Sequence, residues 1–262
     1  MSESLYRMDG LCFAYGQTRV LHDITLSLAE GRFYGIVGPN GCGKSTLLDL
    51  MAGIKRPEQG TITFHEVPLA SYGKRDLARR LALVPQEVDC GFGYTVEEVV
   101  LMGRHPHRPR FAAPGDDDWA AVEGAMEKIG ILPLRHRQTT TLSGGQRQRT
   151  IVARALAQDT AVLLFDEATS SLDIKYTLHI FNLVRRLVYD EGRTAIAVVH
   201  NLNLAAAYCD ELVFIKDGRV VCHGPSAETM TAANIARVFD VAAQVSIDPY
   251  SNTRQVSFDY FR

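Results

Sequence analysis

The chain has 262 residues, enough for one large α/β domain or two modest ones, and its 46% hydrophobic and 22% charged residues are the balance of a globular protein. A formal net charge of -2 gives it no global draw towards nucleic acid. Its first residues lack the basic start and apolar core of a secretory signal, and its longest apolar runs, near 161–165 and 195–199, fall far short of the roughly 20 residues that cross a bilayer. The chain is therefore expected in the cytoplasm, with any membrane link made through a partner.

In chain order, Leu5 to Tyr15 and Val20 to Leu28 pattern as strands around a Gly16-Gln17-Thr18 turn, which predicts a small antiparallel layer. An apolar stretch, Phe33 to Val37, then leads into Gly38-Pro39-Asn40-Gly41-Cys42-Gly43-Lys44-Ser45, followed by the helix-favouring Thr46 to Ala52. This fits G-x-x-x-x-G-K-[ST] in its required strand, loop and helix context. The glycines let backbone N–H groups converge on an anion, and the helix N-terminus adds a favourable dipole. Lys44 can reach the β/γ-phosphates and Ser45 can hold Mg²⁺. A glycine-rich turn with an incidental lysine would not fill all four fixed positions in that context. Cys42 occupies a variable position and is expected only to be small enough to fit.

Further on, Gly60 to Phe64 is β-rich, Lys74 to Leu81 patterns as helix and Leu81 to Pro85 as a short strand, with a loop from Asp89 to Gly93. Helical patterns follow at Thr95–Met102, Asp118–Ile129 and Arg147–Gln158, with Asp116-Asp117-Asp118 placed where a helix N-terminus gains from negative charge. The pattern then alternates: strand 161–165, helix 174–189, strand 194–199, helix 202–208, and strands 211–216 and 219–222 around Asp217-Gly218, a strong hairpin signal. A helical insert thus interrupts an α/β core. Ala227 to Phe239 is expected to be helical, and Val245 to Phe261 alternates in places like a strand.

Val162-Leu163-Leu164-Phe165-Asp166-Glu167 is an apolar strand ending in two carboxylates, at the sheet edge where α/β proteins place ligands. Asp166 is the natural second anchor for Mg²⁺ beside Ser45, and Glu167 is the group to polarise an attacking water. His200 closes another apolar strand and could bond the γ-phosphate or the water. The five cysteines, Cys12, Cys42, Cys90, Cys209 and Cys222, form no C-x-x-C pair, and His105-Pro106-His107 lacks the further ligands of a metal site.

Leu142-Ser143-Gly144-Gly145-Gln146 resembles the signature sequence of ATP-binding subunits of ABC transporters. The resemblance covers nearly all of residues 5–225 and implies the fold: a P-loop NTPase core with mixed and parallel sheet, a small antiparallel β layer and an inserted helical subdomain. It implies a single ATPase domain over 1–225, with a nucleotide core of about 1–87 and 159–225 and a helical insert of about 88–158, then a C-terminal extension, 226–262. The ligands implied are ATP, bound by Tyr15 and Gly38 to Thr46, and Mg²⁺, with Ser45, Gln86 and Asp166 as its residues. Tyr15 resembles the aromatic that stacks on adenine. Gln86 resembles the glutamine that senses Mg²⁺ and water, and Glu167 and His200 complete the catalytic set. Ser143, Gly144, Gly145 and Gln146 would offer a second helix N-terminus to the γ-phosphate held by the opposite subunit, in a head-to-tail dimer with two ATP at its interface. Asp173, in Ser170-Ser171-Leu172-Asp173, resembles the loop that touches the partner subunit.

Two positions depart from the family pattern. Asn201 follows His200 where Asp is usual, which is expected to loosen the support of His200, and Ala168 follows Glu167 where importers often carry Pro. Tyr94 to Arg108 is similar to the Thr-Val-x-Glu-Val-Val-x-x-Gly-Arg-x-Pro-His pattern of ATPases in the iron-siderophore, haem and cobalamin importer group, as is Asn201-Leu-Asn-Leu-Ala-Ala206. The partners implied are a second copy of the chain, two polytopic membrane permease subunits and, indirectly, an extracytoplasmic substrate-binding protein, with the chain peripheral on the cytoplasmic face of the membrane. The alternative is a soluble ABC-type ATPase of iron–sulfur cluster assembly, which need not carry the 94–108 stretch. A chromosome or repair ATPase would need a long coiled coil, for which the spacing from Lys44 to Ser143 leaves no room.

Overall fold

The computed structural model describes residues 4–86, 93–169 and 171–259. Cys90, Ser170 and nearly all of the 89–93 loop lie outside them. The elements run β1 (Ser4–Tyr15), β2 (Thr18–Ala29), β3 (Phe33–Val37), α1 (Lys44–Met51), β4 (Gln59–Phe64), β5 (Val67–Pro68), α2 (Lys74–Ala78), β6 (Leu81–Val84), α3 (Val96–Leu101), α4 (Asp116–Ile129) and α5 (Gly144–Ala157). They continue with β7 (Val162–Asp166), α6 (Ile174–Tyr189), β8 (Thr194–Val198), α7 (Leu202–Tyr208), β9 (Glu211–Lys216), β10 (Arg219–Pro225), α8 (Ser226–Thr229), α9 (Ala232–Phe239), β11 (Ala243–Ile247) and β12 (Arg254–Phe258). Two compact units result, one of Met1–Tyr72 with Thr194–Arg262 and one of Gly73–Arg193.

The first unit carries the expected antiparallel layer, β1 pairing with both β2 and β4 and β4 with β5. Its second sheet is mixed: β3 lies parallel between β8 and β9, and β10 closes antiparallel on β9. Every residue of β3 and β8 is buried, which explains their unbroken apolar runs. Asp217 and Gly218 turn β9 into β10 with φ of 47° and 69°, the left-handed pair that a tight hairpin demands. A Cβ on Gly218 would also stand 2.1 Å from the Val20 carbonyl oxygen, so this turn is pressed against β2.

The second unit pairs β6 with β7 in parallel and packs α3, α4 and α5 against one another. Thr95 caps α3 in a reciprocal box with Glu98, so the helix starts at Val96. All three acids of Asp116-Asp117-Asp118 fall in the first turn of α4. Asp118 is buried, accepting from Gly115 N at 3.1 Å and from Arg104 Nε at 3.0 Å. Burial alone would raise its carboxyl, but those two donors and the Arg108 charge hold it below the usual carboxylate range.

Several boundaries differ from expectation. The helix expected at Arg147 begins at Gly144, because Ser143 caps it and brings the two glycines inside the first turn. The helix expected over 74–81 stops at Ala78, since Leu81 already enters the β6 ladder. The helix expected over 227–239 is two, α8 and α9, because Thr231 takes an extended conformation and accepts from Asn234 N as the cap of α9. The alternating tail is a hairpin, β11 on β12, turned at a 248–253 loop in which Asp248 accepts from Ser251 N and Oγ.

Candidate functional site

In the first unit, β3 delivers the chain into the Gly38–Ser45 loop and α1 begins at Lys44. A Cβ on Gly38 would lie 2.1 Å from the Ile215 carbonyl oxygen and 2.9 Å from Cys42 Sγ, so crowding rather than a positive φ fixes this glycine. Gly43, the cap of α1, has φ 99°, and a Cβ there would meet Leu21 at 2.6 Å. The loop is thus a close-walled backbone cradle that side chains would fill. Lys44, only 5% exposed, folds its ammonium over the loop and donates to the Gly38 and Pro39 carbonyls at 2.9 and 2.8 Å. That leaves a positive charge at the mouth of the cradle, as phosphate binding requires.

Cys42 is buried within the loop; burial raises its thiol, which the Lys44 charge only partly offsets. It is a packing residue in the structure, its Sγ filling the space beside Gly38. Tyr15 is 50% exposed and so is not a core aromatic. Its hydroxyl lies 3.4 Å from Thr46 Oγ1, its ring stands edge-on to Phe13 at 5.0 Å, and the Lys55 ammonium sits 5.4 Å from its centroid. The phosphate loop and the adenine-stacking candidate are therefore neighbours. His200 follows β8 and is exposed, and Asn201 behind it caps α7, its Oδ1 accepting from Asn203 N at 2.9 Å and Leu204 N at 3.1 Å. An Asn carbonyl oxygen caps this helix as an Asp would.

In the second unit, β7 is buried throughout and ends at Asp166, 9% exposed. The next residue, Glu167, has φ 50°, an uncommon backbone for a residue with a side chain, which swings it out of the strand direction. Gln86, just past β6, donates from Nε2 to Glu167 Oε2 at 2.8 Å. The family resemblance implies metal and water as the partners of Gln86; the structure adds a direct bond to the glutamate that neither spacing nor composition announces. Ala168 is 4% exposed and packs behind this turn.

The signature stretch is also in this unit. Ser143 Oγ accepts from Gln146 N at 3.3 Å while Gln146 Oε1 accepts from Ser143 N at 3.0 Å, a closed capping box at the start of α5. A Cβ on Gly145 would stand 3.3 Å from Leu172 Cδ2 and 3.6 Å from the Ser171 oxygen, so Gly145 lies against the chain leading to Asp173, whereas a Cβ on Gly144 would meet nothing within 4 Å. Asp173 caps α6 by accepting from Tyr176 N at 2.9 Å. Arg149 of α5 lays its guanidinium 3.7 Å from the Tyr176 ring centroid. This stack, invisible in sequence, ties the signature helix to the helix that Asp173 begins.

Among the described residues no group of His, Cys, Asp and Glu is arranged to hold a metal by itself, and no helix is long and apolar enough to cross a membrane. His107 Nε2 lies 2.8 Å from the Gln158 carbonyl oxygen.

Residues 21–170 match a family model described as ABC transporter. The chain is 43% identical over 240 residues to the cobalamin import ATP-binding protein BtuD of Halobacterium salinarum, covering 92% of this chain but 60% of that protein. It therefore spans less than two thirds of that relative. It is 37% identical over 255 residues to the ferric enterobactin transport ATP-binding protein FepC of Escherichia coli, covering 97% and 94% of the two chains. Among solved structures, a metal-chelate type ABC transporter in an inward-facing conformation superposes with a TM-score of 0.84 at 29% identity, covering 98% of each chain.

Proposed function

The chain belongs to the ABC transporter family, and from that premise we propose that it is the ATP-hydrolysing subunit of an importer for a metal-chelate nutrient of the iron-siderophore, haem or cobalamin class. The observation that carries the reading is the likeness, over 97% of this chain and 94% of that protein, to a ferric enterobactin transport ATP-binding protein. Residues 1–225 form the ATPase domain in this proposal, with the insert at about 88–158, and 226–262 the extension. The chain acts as a head-to-tail dimer with two ATP, peripheral to two membrane permease subunits on the cytoplasmic face and served by an extracytoplasmic binding protein.

The roles follow from the chemistry of each half. The Gly38–Ser45 amides and Lys44 hold the triphosphate, Tyr15 stacks on adenine, and the first helix turn offers its dipole to the phosphates. The hydroxyl of Ser45, the carboxylate of Asp166 and the amide oxygen of Gln86 are oxygen donors of the type Mg²⁺ takes, and these residues would hold it. That ion, when bound, neutralises charge developing on the phosphate oxygens. Glu167, one oxygen held by Gln86, takes a proton from the attacking water as the water oxygen bonds to the γ-phosphorus and the bond to the β–γ bridging oxygen breaks. His200 donates to the γ-phosphate and steadies it. Ser143 to Gln146 and Asp173 read the nucleotide of the opposite copy, so loss of the γ-phosphate releases the dimer.

The cluster-assembly alternative is not favoured, because the relatives above are named for import and transport. Extraction of the tagged chain from membranes of its native cell in mild detergent tests the proposal. Polytopic membrane subunits should copurify, and their binding protein should take up a siderophore, haem or cobalamin. Soluble scaffold proteins alone would overturn the importer reading.

A further inference from the structure

His200 is followed by a helix too short to fix its own position. α7 has seven residues, and isolated helices of that length are marginal in water, so packing must hold it. Leu202 and Ala205 face the core, 7% and 0% exposed. On another side β12 of the C-terminal hairpin packs against it. There Asn203 closes a two-way amide clamp: its Oδ1 accepts from Val256 N at 2.6 Å and its Nδ2 donates to Val256 O at 3.4 Å. The Asn203 backbone N–H is in turn held by Asn201 Oδ1, next to His200.

The hairpin can act as a fixed shoulder because it is fastened elsewhere too. The Lys216 ammonium of β9 donates to the Arg237 carbonyl and to both Asp240 oxygens, all within 3.0 Å, and so secures the end of α9 just before β11. Val256 is buried, 4% exposed, at the middle of β12 opposite Val245. A cavity of about 750 Å³ opens beside this turn, with His200, Asn201, Asn203, Phe239, Val241 and Phe258 in its lining. The Asn203–Val256 clamp borders that cavity and joins β12 to α7. A continuous run of bonds therefore leads from the hairpin backbone through Asn203 and Asn201 to the residue after His200.

We propose that Asn203 is a positioning residue for His200, clamping the C-terminal hairpin to α7 so that the extension sets how firmly the histidine is presented. The kinetic part rests on the ATPase reading above; the geometric part does not. In the full-length chain Asn203→Leu should lower kcat for ATP about tenfold while KM stays within about twofold, the pattern of a group misaligned in the transition state only. Asn203→Asp keeps the acceptor for the shorter bond and should recover most of that loss. Val256→Pro deletes the N–H donor from the other end, and the double variant should be no slower than the worse single one, since both remove one clamp. Independently of turnover, Asn203→Leu should displace the His200 imidazole resonances in nucleotide-free protein, measured by NMR. Unchanged kcat, losses that multiply in the double variant, or unmoved His200 resonances would each overturn the clamp. An inactive wild type would overturn the ATPase reading instead, and the imidazole resonances then decide the clamp alone.

Discussion

Glu167→Gln separates catalysis from folding on terms the structure supplies. The substitution keeps side-chain length and leaves an amide oxygen that still accepts from Gln86 Nε2, 2.8 Å away in the wild type. In the resting protein it trades a charge-assisted hydrogen bond for a neutral one, a loss of about 1 kcal/mol. Exposure of Gln86 reduces that further by screening. In the reaction it removes the group that accepts the water proton, an effect of about 10²–10⁴-fold, or about 2.7–5.4 kcal/mol at 1.36 kcal/mol per decade. The second effect dominates, so phosphate release should collapse while fold and nucleotide affinity survive and ATP holds a dimer that no longer opens. Phosphate release, binding of a fluorescent ATP analogue and light scattering with and without ATP read the three outcomes. Undiminished phosphate release in the variant would refute the assignment of Glu167 as base.

Gly38→Ala places a methyl 2.1 Å from the Ile215 carbonyl oxygen. The loop must move, so stability should fall by ~1–3 kcal/mol in denaturant titrations. ATP-analogue binding should be lost with it, and retained affinity would count against the cradle. Ser143→Arg deletes the α5 cap, a loss of ~1 kcal/mol, and puts bulk and charge where the opposite copy's phosphate would arrive. ATP binding should persist while ATP-dependent dimerisation disappears, and a surviving dimer would count against the head-to-tail arrangement. Asp118 has a folded-state pKa below its unfolded value of about 3.9. Its contribution is therefore complete above that value and lost as pH falls through the lower folded one. Melting curves of wild type and Asp118→Asn should be furthest apart near neutrality and converge in strong acid, and parallel curves across that range would sink the assignment.

The architecture was largely legible because its strongest signals are local. Buried strands such as β3 and β7 are continuous apolar runs, α6 spans the residues that its periodicity marks, and Asp217-Gly218 is a turn by chemistry alone. The candidate site residues could be named one by one, the phosphate loop and the paired acids from chemistry in short spacing and Ser-Gly-Gly-Gln through the family resemblance. What stayed hidden was relational. Nothing in the sequence near Gln86 says that its amide reaches Glu167, 81 residues on, or that Glu167 takes a left-handed backbone. Arg149 on Tyr176 and Asn203 on Val256 are likewise partnerships between distant segments. Helix starts were misplaced where a cap decided them: Gly144 and Gly145 argue against helix by propensity, and only the Ser143 box brings them in.

The two helix starts in the proposed mechanism are built for different tasks. α1 opens from Gly43, which has no side chain to close the first turn, behind a loop whose wall contacts exclude even a methyl at Gly38. Such an end turns its N–H groups towards an anion, and the Lys44 ammonium lies beside it. α5 opens from Ser143, whose hydroxyl and N–H are both engaged with Gln146. For Ser143 to turn its hydroxyl to a phosphate, half of that box must open, at about 1 kcal/mol, against about 1.5–3 kcal/mol for a hydrogen bond to a charged group. The balance is favourable but small, so recognition at α5 depends on the charge of the γ-phosphate and reverses when that charge leaves. A permanent grip at one helix and a releasable one at the other is what a dimer that closes on ATP and opens after hydrolysis requires.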